Sequence, residues 1–101
     1  GPGSLREGIR TANGPRTIYK VQPIYPKKQL DQLKTARIVF DAEVSEHGTL
    51  LNPSLVSPLD APAEFVVASQ MAANLWRFAP ATESGCPARS TIRLTMDYSI
   101  R

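Results

Sequence analysis

The sequence predicts an α+β domain, a small three-stranded antiparallel sheet of strand order 2-1-3 with two helices packed on one face. Three observations carry this. Residues 37 to 44 and 91 to 100 alternate apolar and polar side chains with period two, the mark of half-buried strands. A glycine-ended turn signal follows the first of these, and two stretches with helical spacing lie before and between them. A chain of 101 residues with 42% apolar and 21% charged side chains has the surface for one small core and not for two.

Taken in order, residues 1 to 4, Gly-Pro-Gly-Ser, read as the scar of a removed expression tag. Residues 5 to 20 read as a flexible lead-in or linker end, with Asn13-Gly14-Pro15 as punctuation and order expected from about Ile18. Residues 21 to 101 form the domain. The stretch from 18 to 26 holds Pro23 and Pro26 and reads as an extended strap. Pro26 suits the first position of a short helix over residues 26 to 34, because its missing N–H would have no partner there anyway. Leu30 and Leu33 give that helix a narrow apolar stripe.

In the first strand Ile38, Phe40, Ala42 and Val44 share one face, while Arg37, Asp41 and Glu43 share the other. Ser45-Glu46-His47-Gly48 turns the chain, and the returning strand over residues 49 to 56 contains Pro53. Proline cannot donate to a ladder, so this second strand belongs at a sheet edge. A helix over residues 63 to 75 follows Pro62, with Phe65, Ala68, Ala72 and Leu75 at helical spacing. Phe65, Met71 and Trp76 are expected in the core. Residues 81 to 87 read as a loop punctuated by Gly85 and Pro87. The last strand places Ile92, Leu94, Met96, Tyr98 and Ile100 inward and Thr91, Arg93, Thr95, Asp97 and Ser99 outward.

Composition speaks against chemistry. Cys86 stands alone and closes no internal disulfide, and the single histidine, His47, sits in the turn, so neither a metal cluster nor a nucleophile–base pair is expected. No phosphate-cradling glycine loop occurs, and no two of the nine carboxylates form a pair with a reason to titrate apart. The expectation is therefore no enzyme, no catalytic residue, no metal and no cofactor. The net charge of +3 is uneven, with seven Lys/Arg against two Asp/Glu in the first 34 residues, but these cations are spread out and read as solvated. Sheet faces that bind RNA present aromatic rings, whereas the outward face here is Thr, Arg, Thr, Asp and Ser, so no nucleic-acid partner is expected. What remains is the edge of the last strand, long, regular and without proline. Either it is covered by the strap or by a second copy in a homodimer, or it accepts a partner peptide as an added strand.

The residues also resemble a known family. Gln22-Pro23-Ile24-Tyr25-Pro26 is similar to the QPxYP segment that opens the C-terminal domain of TonB-family energy transducers, and a short helix and a hairpin with a turn glycine, here Gly48, follow as in that family. Phe65 precedes Trp76 by eleven residues, and Trp76-Arg77-Phe78-Ala79-Pro80 resembles the family's W-[RK]-[FY]-x-P signature. Gly85 and Pro87 then lead into the last strand. The likeness spans residues 21 to 100, with Ala36 standing where many members have glycine. It implies a periplasmic domain of a protein anchored in the inner membrane, with ExbB/ExbD-type partners acting through its N-terminal part. Its role would be to grip the TonB box of an outer-membrane transporter by strand addition and so energise nutrient uptake. A TonB- or TolA-like envelope scaffold with a non-transporter partner is the alternative. Under this resemblance Gln22, Arg89, Thr91, Arg93, Thr95 and Asp97 are the partner-binding candidates, and Tyr25, Pro26, Gly48, Phe65, Trp76, Phe78 and Pro80 are structural.

Overall fold

The computed structural model describes residues 12–100. Residues 1 to 4, expected to be a tag scar, and residues 5 to 11 of the expected lead-in lie outside the described residues. The central sheet is built from β3 (Ala36–Val44), β4 (Leu50–Ser57) and β8 (Ser90–Tyr98) in the order β4-β3-β8, both pairs antiparallel. This is the three-stranded sheet with the first strand central that the alternation and Pro53 predict. Ile38, Phe40 and Val44 of β3 are fully buried, and Leu94, Met96 and Tyr98 of β8 join them under α2 (Ala63–Ala73). Ile100 falls beyond the strand and is exposed. On β4 the register shifts twice, once at Asn52-Pro53, where Asn52 takes φ 52°, so this edge is bulged and poor in regular pairing sites.

The turn between β3 and β4 is organised by one buried serine. The Ser45 hydroxyl accepts the backbone N–H groups of His47 and Thr49 at 3.1 Å and lies 2.8 Å from the Thr49 hydroxyl. Gly48 follows at φ 84°, and its N–H donates to the Ser45 carbonyl at 3.0 Å.

Helix α1 (Lys27–Asp31) starts after Pro26 but is only five residues long, and Leu30 and Leu33 do not form its buried stripe. Gln29 is its buried residue instead, while Leu33 is 72% exposed. The cause is an early stop. Leu33 takes φ 56°, its N–H donates to the Leu30 carbonyl and the Lys34 N–H donates to the Gln29 carbonyl, the bond pattern that closes a helix through a left-handed residue.

Helix α2 buries Phe65, Ser69, Ala72 and Ala73. Met71, expected in the core with Phe65 and Trp76, is 65% exposed, and Leu75 lies past the helix end, exposed as well. Apolar residues occur all around this helix, so spacing alone does not single out the inward stripe.

Five short strands complete the chain: β1 (Ala12–Asn13), β2 (Arg16–Tyr19), β5 (Arg77–Ala79), β6 (Ala81–Glu83) and β7 (Cys86–Ala88). Residues 81 to 87, read as a loop, are a hairpin of β6 and β7 whose two-residue turn, Ser84-Gly85, has φ 52° and 81°. Two positive φ values in a two-residue loop match the right-handed twist of the flanking strands. The described part of the lead-in runs antiparallel to this path, with Ala12 opposite Glu83, Arg16 opposite Ala79 and Tyr19 opposite Arg77. Pairing thus begins before Ile18, by main-chain bonds that hydrophobic periodicity does not report.

Candidate partner-binding site

Strand β8 ends the sheet. Among the described residues its ladder is to β3 alone, in unbroken register from Ala36 opposite Tyr98 to Val44 opposite Ser90, so every second main-chain group from Ser90 to Tyr98 faces away from the sheet. The edge is regular because Leu94, Met96 and Tyr98 are buried in the core and Ile92 packs against it, which fixes the register.

The outward face carries cross-strand ion pairs. Arg93 grips Asp41 with two hydrogen bonds of 2.7 and 3.0 Å, Arg37 donates to Asp97 at 2.8 Å, and Arg89 lies 3.6 Å from Glu43. The bond from Arg93 holds the Asp41 carboxyl below its ordinary range, and the two aspartates hold Arg37 and Arg93 above theirs. Of the partner-binding candidates, Arg89, Arg93 and Asp97 are therefore engaged with β3, while Thr91 and Thr95 are exposed beside them. Such charges discourage indiscriminate edge pairing without blocking the main chain.

Gln22 is exposed on the strap, and the strap lies against the C-terminal half of β8. Lys20, Val21, Gln22 and Pro23 line a cleft of about 180 Å³ with Thr95, Met96 and Asp97, and Trp76 completes its wall. Three consecutive strand residues alternate faces, so a cleft touching all of them opens on the strand's edge. The strap is held there by the Trp76 indole, which donates to the Val21 carbonyl at 2.9 Å.

The family model for the Gram-negative bacterial TonB protein C-terminal region matches residues 21–100. The chain belongs to this family. The solution NMR structure of the Pseudomonas aeruginosa TonB C-terminal domain is similar in fold, with a TM-score of 0.72, covering 98% of this chain and 94% of that one at 17% identity. No curated protein matches the sequence. The chain is thus a TonB-like periplasmic domain, and its motif residues sit inside it. Tyr25 meets Phe65 and Tyr98 edge-on, with ring centroids 5.9 and 5.3 Å apart, and its hydroxyl donates to the Lys34 carbonyl. Trp76 and Phe78 are buried and tilted against each other at 6.2 Å, while half-buried Pro80 separates β5 from β6. The Phe78 N–H donates to the Gly48 carbonyl at 3.0 Å, which binds the W-R-F segment to the hairpin turn.

Sequence reading missed two features of this TonB-like surface. Lys20 reads in the sequence as one of several scattered cations, yet its ammonium stands 5.5 Å from the Trp76 ring centre. A second apolar stripe, Val67 and Met71 on α2 with Leu75 just past its end, is exposed and faces Val21, Ile24 and Pro26 across a groove of about 580 Å³. Its spacing of four residues is visible in the sequence, masked by the stripe that packs inward.

Proposed function

We propose that this domain binds the TonB box of an outer-membrane transporter by adding it to the β8 edge, in a protein anchored in the inner membrane that passes proton-motive energy to uptake. The observation that supports this most is the unbroken nine-residue edge of β8, left unpaired among the described residues while the opposite edge, β4, is bulged and carries Pro53. Main-chain bonds then supply affinity, and side chains along Thr91, Arg93, Thr95, Asp97 and Gln22 supply register and selectivity. Several such bonds loaded together resist pulling better than one side-chain anchor. Arg89 contributes at the start of the strand. ExbB/ExbD-type partners act through the N-terminal part of the protein.

Titration of the isotope-labelled domain with TonB-box peptides tests the proposal. The expected result is progressive shifts in β8 amides and slower hydrogen exchange at those pointing away from β3. Shifts absent from β8 at millimolar peptide, or confined to α2 and the strap groove, would count decisively against it.

A further inference from the structure

The groove between the strap and α2 is complementary to itself. Beside the ridge of Val67, Met71 and Leu75 runs a furrow floored by Ala68 and Ala72 and walled by the strap. A ridge of residues four apart packs into such a furrow on another helix, and here both lie on one surface. The ridge is symmetric about Met71. A twofold axis near that residue lays a second α2 antiparallel to the first, with Val67 of one copy against Leu75 of the other. Ile24, 83% exposed, and Met71, 65% exposed, belong to one contiguous apolar patch, the kind of surface that marks an interaction site.

Charge follows the same symmetry. The strap runs antiparallel to α2, since the Trp76 indole just past the helix end meets Val21 at 2.9 Å and Gln29 meets Glu64 in the first turn at 3.4 Å. Glu64 therefore stands at one end of the groove and Lys20, over the Trp76 ring, at the other. Neither has an oppositely charged partner within ion-pair distance among the described residues. In the antiparallel arrangement each Glu64 faces Lys20 of the other copy, so the same geometry that seats the ridges also matches the charges.

We propose that two copies of this domain associate through the α2 groove about a twofold axis near Met71. No residue of β8 lines the groove, so both β8 edges stay open and the association is independent of strand addition. The surface is small, which places the dissociation constant in roughly the 10 µM to 1 mM range.

Sedimentation velocity and spectra of the isotope-labelled domain over about 10 µM to 1 mM test this. The wild-type domain is expected to dimerise as concentration rises, with shifts on α2 and the strap. Met71→Lys sets two cations against each other at the axis and is expected to weaken association about ten-fold or more. Lys20→Glu or Glu64→Lys alone should weaken it about two- to five-fold, and the two exchanged in one chain should restore it. Melting curves check that each variant folds. A domain that stays monomeric throughout overturns the proposal, as does a dimer whose shifts fall on β8 or that Met71→Lys leaves intact. A double exchange that restores nothing overturns the antiparallel arrangement.

Discussion

Gly48 and Gly85 share a left-handed backbone, at φ 84° and 81°, yet they answer to different constraints. A Cβ on Gly48 would stand 2.1 Å from the Phe78 carbonyl oxygen, which is backbone and cannot swing aside, whereas nothing lies within 4 Å of one on Gly85. Gly85→Ala is expected to cost only the left-handed strain, about 1–2 kcal/mol. Gly48→Ala adds a steric clash and is expected to cost roughly 3 kcal/mol or more. Urea unfolding of both variants checks the difference. A second residue-scale case is buried Ser69, whose hydroxyl lies 2.8 Å from that of Tyr98. Tyr98→Phe leaves Ser69 without this partner and is expected to cost about 1–2 kcal/mol, and Ser69→Ala in the same chain should recover part of it. Burial raises the Tyr98 phenol above its ordinary value of 10.0. The folded state then holds this proton where the unfolded state has lost it, so the contribution is complete below pH 10.0 and declines as pH rises towards the folded value. Tyr98→Phe should flatten that alkaline decline in a series of urea midpoints.

Among the elements, legibility followed length and burial on one side. β3 and β8 show their alternation over nine residues each, and Pro53 placed β4 at an edge, because these signals come from solvent on one face and core on the other. The hairpin of β6 and β7 reads as a loop in the sequence because three-residue strands offer no period to detect. The partners of Arg93 and Arg37 were equally hidden, since they depend on cross-strand register that a sequence does not print. For α2 the two-sided apolar pattern leaves the inward stripe undecided, and Met71, expected in the core, lies on the outer side. Its 65% exposure makes a clear prediction. Met71→Lys should move stability by no more than about 0.5 kcal/mol, whereas Ala73→Leu at a fully buried position should cost about 1–3 kcal/mol by overpacking. Thermal melts of the two variants separate these outcomes. On the sheet's outer face, Arg93 holds Asp41 below its ordinary 3.8, so the pair's contribution is complete above that value and fades as pH falls below it. Both groups are exposed, and the loss should be small and salt-sensitive.

At the scale of the molecule, the radius of gyration of 16.8 Å exceeds the roughly 13 Å of a compact chain of this length. The longest axis measures 55 Å, and thin elements whose main partners are one another, β1 on β6 and β6 on β7, stand beside a core drawn from β3, β8 and α2 with Trp76 and Phe78. Every residue of β2 is exposed, so its pairing with β5 rests on main-chain bonds rather than on burial. Elements of this kind open locally at a fraction of the global free energy. Removing residues 1 to 19 should therefore leave the cooperative unfolding of the core and its denaturant dependence nearly unchanged, because little apolar surface is lost. The strap, however, loses the strand that leads into it and keeps only its own anchors, such as the bond from Trp76 to Val21. Hydrogen exchange should then accelerate at β5 and at residues 20 to 23 while the β3 amides keep their protection. A large drop in the global midpoint would instead mean that the N-terminal strands belong to the cooperative core. If the truncated domain also binds β8-directed peptides faster, with unchanged affinity for the edge itself, the pairing of β2 with β5 governs access to the cleft beside β8.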